Sequence, residues 1–282
     1  MHPDVTTRVF RPPGGRNTRG LVPVPKQARA SMLQRRRHNT QLFIFQFSIS
    51  LFLSFSNFLS FHSKPTMDDI ISLREHRSRF HTYTADVFGK TLAITVTSSS
   101  FIVKRWLSTT LYLLHRRHLR RLIVGLGVQW TPAADVSRRD PPPADTLQLC
   151  VGRRCLVLQL AHADRVPRML REFLMDPRHT FVGFWNHMDE EKLWNSKHRV
   201  EMRRKPLDLR RFAEGSDGGK LVQASRERIV EECLGFRGVR FSEEIGRSDW
   251  DREVLSSRQI LQASIDPYFA FLIGKDIRAW DF

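Results

Sequence analysis

A dense cluster of basic side chains ends just before the most apolar stretch of the chain. Arg116, Arg117, Arg120 and Arg121 lie within six residues, and the uncharged run 122–128 follows directly. Arginine suits phosphate groups because its planar N–H donors match two phosphate oxygens at once. The cluster therefore predicts a nucleic-acid-binding patch, although the solvated end of a helix would have the same composition.

The overall charge is compatible with an anionic partner. Lys and Arg number 46 against 29 Asp and Glu, which gives a formal net charge of +17. Residues 1–66 hold ten of the basic residues and only one acid, Asp4, so the rest of the chain is moderately basic. With 41% hydrophobic residues, the chain has the composition of a packed domain, which excludes a histone-like or arm-only binder.

The cysteines exclude two other kinds of protein. Cys150, Cys155 and Cys233 form no CxxC pair and no cluster with the spacing of zinc ligands. The sequence therefore predicts neither a disulfide scaffold nor a zinc module, and it favours a reducing compartment.

The first 66 residues differ in composition from the rest. Residues 1–37 are rich in Pro, Gly and Arg without apolar periodicity, which predicts a disordered extension. Residues 43–61 are uncharged and long enough to cross a bilayer, which makes a membrane segment one alternative, but their several Ser, Gln and Asn residues argue against it. Met67 follows at once, so residues 1–66 are alternatively an untranslated region ahead of the true start.

Beyond Met67 the apolar patterns predict one α/β domain, residues 67–282, with a mixed β-sheet flanked by helices. The predicted elements are strands at 80–88 and 91–97 around Gly89-Lys90, a helix from Ser98–Ser100 to Leu114, a strand at 122–128, a loop at 131–145, strands at 146–151 and 155–160, a helix at 166–174, a strand at 180–185, a helix at 189–194, a short mixed segment at 207–212, and helices at 226–234 and 256–273.

Several of these segments, read together, resemble the Werner syndrome-like 3′-5′ exonucleases, especially the plant type. They are LIVGLGVQW (122–130), DTLQLCVGRRCLVLQL (145–160), TFVGFWNHMDEEKL (180–193), LDLRRFA (207–213), SDWD (248–251) and QILQASIDPYFAFLIG (259–274). The resemblance covers most of residues 79–276. It implies a ribonuclease-H-like fold of the DEDDy nuclease type, in which carboxylates hold two Mg²⁺ or Mn²⁺ ions that promote phosphodiester hydrolysis.

The resemblance also implies which residues form the site, and three of the five positions depart from the pattern. Asp189 and Asp266 match the aspartates of the second and third motifs. Gly127 and Gln129 stand where the first motif has Asp and Glu, and Gln262 stands where the third motif has a Tyr that positions water. Two of four metal-binding carboxylates are therefore missing, which predicts impaired metal binding and an inactive or very weak nuclease.

Trp185 is a further departure, since the family usually has a small residue at this position of the second motif. Its indole is a candidate for stacking on a base at the entry to the cleft. Trp106, by contrast, is predicted to be a core residue.

Three functions stay open on the sequence. The first is a degenerate 3′-5′ exonuclease domain that still binds DNA or RNA 3′ ends. The second is an active enzyme that uses Asp189, Asp266 and Gln129 with Mn²⁺. The third is a non-catalytic scaffold for protein interactions. The resemblance suggests the nucleus or the cytoplasm as the compartment.

Overall fold

The sheet that carries the site has eight strands in the part of the chain that the computed structural model describes, residues 71–76, 81–115, 121–132 and 141–282. The strands are β1 Ile71–His76, β2 Thr82–Val87, β3 Lys90–Thr97, β4 Leu122–Gln129, β5 Thr146–Val151, β6 Arg154–Gln159, β7 His179–Gly183 and β8 Leu207–Asp208. Their order across the sheet is β1-β2-β3-β6-β5-β4-β7-β8.

The sheet is mixed. The neighbouring pairs β1–β2, β2–β3, β6–β5 and β5–β4 are antiparallel, whereas the pairs β3–β6, β4–β7 and β7–β8 are parallel. Strand β4 lies between β5 and β7, and all eight of its residues are buried. A strand covered on both faces needs the nearly continuous apolar sequence that β4 has.

Six helices accompany the described strands. They are α1 Ser100–His115, α2 Arg168–Met175, α3 Asp189–Asn195, α4 Arg226–Leu234, α5 Glu243–Gly246 and α6 Ser257–Asp276. Ser256 and Gln259 form a reciprocal capping box at the start of α6, so the helix begins at a fixed point. Two short 3₁₀ turns occupy Leu209–Arg211 and Ala279–Asp281.

The helices cover both faces of the sheet and create two separate cores. On one face, α1 and α2 contribute Val103, Trp106 and Leu170 to a cluster with residues of β4, β5 and β6. On the other face, α4 and α6 pack against Ile94, Val157 and Val182. The three-layer arrangement follows from the burial of both faces of the central strands.

Helix α6 lies directly against β4 because β4 has a glycine at the contact. A Cβ atom on Gly125 would stand 1.8 Å from the carbonyl oxygen of Pro267, a distance that no side chain tolerates. This contact brings the middle of α6, including Asp266, close to the β4 residues that follow Gly125. The fold thereby places the third predicted motif beside the first.

Most of the predicted elements are confirmed, including the α/β class, the hairpin of β2 and β3, and helices α1, α3, α4 and α6. The bounds of two elements differ from the prediction, since the helix expected at 166–174 begins at Arg168 and the strand expected at 180–185 ends at Gly183. Strand β1 and the four-residue helix α5 were not predicted. Residues 1–70, including the predicted extension and the run 43–61, lie outside the described residues, as do 133–140 of the predicted loop.

Candidate functional site

All five positions that the resemblance assigned to the catalytic site line one cleft. Gly127 and Gln129 come from β4, Asp189 from the start of α3, and Gln262 and Asp266 from α6. The first turn of α4 and helix α5 form the opposite wall, and the cleft encloses about 450 Å³. The sequence-predicted positions therefore converge in space although they are spread over 140 residues of the chain.

The space beside Gly127 is occupied by a side chain from the neighbouring strand. Gly127 pairs with Gln148 of β5, and a Cβ atom on Gly127 would lie 2.6 Å from Gln148 Oε1. The Gln148 amide donates to the hydroxyl of Thr146 at 2.6 Å, while Oε1 is buried and accepts no hydrogen bond from the described residues. The volume in which an aspartate side chain would begin is thus partly filled by an amide oxygen.

Gln262 is engaged in holding another segment. Its Oε1 accepts a hydrogen bond from the backbone N–H of Ser242 at 2.9 Å, and its Nε2 donates to the Ser242 carbonyl at 3.1 Å. Ser242 is the N-cap of α5, so the amide ties this short helix to α6. The side chain is buried, and both ends of its amide are used by the protein.

Asp189 is a carboxyl group with a strongly raised pKa. Burial is the largest cause and raises the pKa to about 7, because removal from water disfavours the charged form. The Lys192 ammonium, one turn along α3, opposes this, while the charges of Asp266 and Asp208 raise the pKa further. The Lys192 ammonium itself lies 3.6 Å from the centre of the Trp130 ring.

Asp266 is paired with an arginine that the sequence did not single out. Nη1 of Arg226 donates to Oδ2 of Asp266 at 2.9 Å, whereas Oδ1 of Asp266 is buried without a partner among the described residues. Burial raises the pKa of Asp266, and the Arg226 charge and hydrogen bond act in the opposite direction. Asp266, one of the two aspartates that the resemblance assigned to the site, thus has a guanidinium group as its neighbour.

Trp185 lies at the mouth of the cleft against two arginines. The Arg210 guanidinium stands 4.4 Å from the indole centroid and that of Arg226 stands 5.9 Å from it. Trp185 has a backbone φ of 49°, a left-handed conformation that is costly for a bulky residue, and its side chain remains 38% exposed. Arg210 is in turn held by Asp208 through charge-assisted hydrogen bonds.

The predicted basic patch is described only in part. Arg116, Arg117 and Arg120 lie outside the described residues, and Arg121 is exposed at the start of β4 and does not line the cleft. Of the tryptophans, Trp106 is buried in the core as predicted, and Trp250 is also fully buried, so its ring is not accessible to a base.

The residues present do not fit a pair of divalent metal ions. Gly127 has no side chain, Gln262 is used by Ser242, and Asp266 is paired with Arg226. Within the described part of the chain, no group of three or more His, Cys, Asp or Glu side chains is arranged to hold a metal ion. Hard divalent cations need several converging oxygen ligands, and carboxylates above all, which this cleft does not supply.

Sequence reasoning missed Arg226, Gln148 and Arg210. Arg226 is forty residues from Asp266, and no spacing pattern connects them. Gln148 is one of several polar residues in an alternating strand. Only the pairing of strands and the packing of helices shows that these side chains meet at the site.

Comparisons with known proteins relate this fold to exonucleases. No family model matches the chain. A protein of Acanthamoeba polyphaga mimivirus, named as a 3′-5′ exonuclease, is 24% identical over 198 residues, which are 68% of this chain and 47% of the viral protein. The chain therefore spans about half the length of this relative.

Two solved structures share the fold. The exoribonuclease RNase D of Escherichia coli superposes with a TM-score of 0.51 at 18% identity, over 66% of this chain and 44% of that one. The EXO domain of Nibbler from Aedes aegypti superposes with a TM-score of 0.50 at 13% identity, over 66% of this chain and 88% of that one. The chain thus has the ribonuclease-H-like α/β fold of 3′-5′ exonuclease domains.

Proposed function

We propose that this chain is a nucleic-acid-binding domain related to the Werner syndrome-like 3′-5′ exonucleases, in which nuclease activity is absent or very weak. The mimivirus relative and the fold support the relation to exonucleases. The observation that carries the loss of activity is the state of β4, where Gly127 and Gln129 provide no carboxylate and Gln148 fills the space beside Gly127. Two-metal hydrolysis requires two metal ions, one held on each side of the scissile phosphate.

The cleft retains features that suit a nucleic acid strand. Trp185 offers a partly exposed indole on which a base can stack, and Arg226 offers a cation for the adjoining phosphate. Within the described residues no helix is long and apolar enough to cross a membrane. We also propose the nucleus or the cytoplasm as the compartment of the protein.

The proposal is tested with the full 282-residue chain and a 5′-labelled duplex with a recessed 3′ end, in Mg²⁺ and in Mn²⁺. A second protein carries Gly127→Asp, Gln129→Glu and Gln262→Tyr, and a third carries these changes together with Asp189→Asn. We expect the natural sequence to leave the strand intact, and any activity that appears in the second protein to vanish in the third.

Binding is measured on the same duplex at several salt concentrations, because phosphate contacts release counterions and make the affinity fall as salt rises. Salt-dependent binding without cleavage is the expected result. Metal-dependent shortening of the strand by the natural sequence would show an active enzyme. Absence of both binding and cleavage would instead favour a protein-interaction scaffold.

A further inference from the structure

Within the part of the chain that the structure describes, the carboxylate of Asp266 pairs with one cation, the guanidinium of Arg226. The Asp266 side chain is 13% exposed and that of Arg226 is 30% exposed, so the pair lies at the floor of the cleft and not on the outer surface. Among the described residues, Asp266 is the only hydrogen-bond acceptor of the Arg226 guanidinium. Other N–H donors of that group therefore remain available on the side that lines the cleft.

Arg226 is held in place by its surroundings. It is the first residue of α4, directly after the N-cap Ser225, whose side chain accepts from the backbone N–H of Arg228. The guanidinium stands 4.7 Å from the centre of the Phe241 ring, on the wall opposite α6. An arginine fixed by an aromatic face and a buried carboxylate is prepared for a ligand before the ligand arrives.

Two of the acidic groups that line the cleft with Arg226 are engaged by other groups. Glu227 accepts a hydrogen bond from the backbone N–H of Phe241 at 3.1 Å, and Glu243 faces Arg247 at 3.9 Å. A divalent cation that approached Asp266 would meet the positive charge of Arg226 beside the same carboxylate. Like charges at this separation repel strongly where water is excluded, so the guanidinium and the metal ion compete for one place.

We propose that the guanidinium of Arg226 takes the place of a divalent cation in this cleft and binds a phosphate group of a nucleic acid strand without metal. The inference rests on the proposed function, because the strand is the ligand assigned there. A phosphodiester oxygen accepts charge-assisted hydrogen bonds from the free guanidinium N–H groups, while a base can stack on Trp185 beside it. The N-terminus of α4 adds its partial positive charge on the same side.

The experiment compares binding of a short 5′-labelled single strand to the full chain in EDTA and in Mg²⁺. We expect the two affinities to agree within about twofold, and Arg226→Gln to weaken binding about tenfold, as expected for a lost charge-assisted contact. Arg228→Gln is the matched control, since it removes the same charge from the same helix at a side chain that is 65% exposed and points to Glu232. Arg226→Lys should recover only part of the affinity, because the ammonium lacks the planar pair of donors.

A second readout does not depend on nucleic acid. In electron paramagnetic resonance, Mn²⁺ at millimolar concentrations gives the signal of the free ion. Addition of the natural chain should not reduce this signal. Three results would each overturn the inference and leave the proposed function intact. They are binding of the strand that requires Mg²⁺, tight binding of Mn²⁺ by the natural chain, and unchanged affinity for the strand in a folded Arg226→Gln protein. Absence of strand binding in both EDTA and Mg²⁺ would overturn the proposed function and this ligand together. The measurements on the natural chain decide the matter even if Arg226→Gln fails to fold.

Discussion

The Nη1 atom of Arg226 lies 2.9 Å from Oδ2 of Asp266 and so joins the first turn of α4 to the middle of α6. The contact links the two walls of the cleft. It also couples the stability of the domain to the chemistry of the cleft, because the largely buried carboxylate of Asp266 would lack a counter-charge without Arg226.

The stability of this pair can be measured by a double-mutant cycle. We expect Arg226→Gln to lower the free energy of unfolding by about 2 kcal/mol, since it leaves the buried Asp266 without a counter-charge. Asp266→Asn should cost less, about 1 kcal/mol, because a neutral amide needs no cation and Arg226 keeps partial access to water. Urea unfolding of the two single variants and the double variant gives the coupling. Strictly additive losses would show that the two groups do not interact in solution.

The contact between position 127 and Gln148 can be measured by a second double-mutant cycle. Gly127→Asp should destabilise the domain by about 1–3 kcal/mol, because its Cβ would stand 2.6 Å from Gln148 Oε1 and the fully buried amide would have to move. In a Gln148→Ala background the same substitution should cost clearly less, because the obstructing atom is gone. An equal cost of Gly127→Asp in both backgrounds, measured by chemical unfolding, would place the strain elsewhere.

The elements that carry the site follow from local patterns in the sequence. The continuous apolar run of β4 fixes a buried strand, and the spacing of Ile260, Ala263 and Phe269 fixes the helix that packs on it. Strand β1 was missed because Arg74 and Glu75 interrupt its alternation, which suits its position at the edge of the sheet. Helix α5 was missed because four residues are too few for any period to be visible.

The side-chain pairs of the site could not be predicted in this way. The Arg226–Asp266 pair and the contact of Gln148 with Gly127 depend on which elements become neighbours in space and on which face each residue occupies. Both were decided by packing across the sheet and not by propensity. The resemblance predicted which carboxylates the cleft would lack, whereas only the structure shows which side chains lie near those positions.

Gln262 should be essential for the order of helix α5 and the residues on either side of it. Gln262→Leu removes both hydrogen bonds to Ser242 and leaves its backbone N–H without a partner, while its carbonyl still accepts from the backbone N–H of Gly246, at a cost of about 1–3 kcal/mol. Hydrogen exchange measured by mass spectrometry should show faster exchange at 241–248, while β4 and β5 stay protected. Unchanged protection of 241–248 would mean that other contacts hold α5. The same measurement on Gln262→Tyr shows how much order is lost when this position carries the tyrosine that the resemblance implies.

Asp176 provides a pH dependence with a definite sign. Hydrogen bonds from Arg178 are the largest cause that lowers its pKa, to about 2 from an ordinary value of 3.8. A lowered pKa contributes stability above the unfolded value, and this contribution is lost as the pH falls from about 4 towards 2. Because Arg178 is exposed and screened by solvent, we expect the contribution to be only about 1 kcal/mol.

Asp176→Asn should therefore be less stable than the natural chain at pH 7, and the difference should shrink as the pH falls below 4. Denaturant unfolding at a series of pH values checks this. Glu172→Gln on the same helix is the control, since Glu172 pairs with Arg168 on the open surface and should change stability little at any pH. A difference for Asp176→Asn that stays constant down to pH 3 would contradict the assignment.

Replacement of Trp185 should weaken nucleic-acid binding while the domain stays folded. Its ring is 38% exposed beside Arg210 and Arg226, and its backbone has a left-handed φ that the surrounding turn must impose. Removing a stacking aromatic costs about 1–3 kcal/mol per base, so Trp185→Ala should weaken binding of a single strand about tenfold. Trp194→Ala is the matched control, since Trp194 is 46% exposed with Arg199 near its ring but does not line the cleft. Fluorescence anisotropy with a labelled strand measures both affinities. Equal weakening by the two substitutions would show that the strand binds exposed tryptophans without preference for the cleft, and unchanged affinity of Trp185→Ala would remove Trp185 from the binding surface.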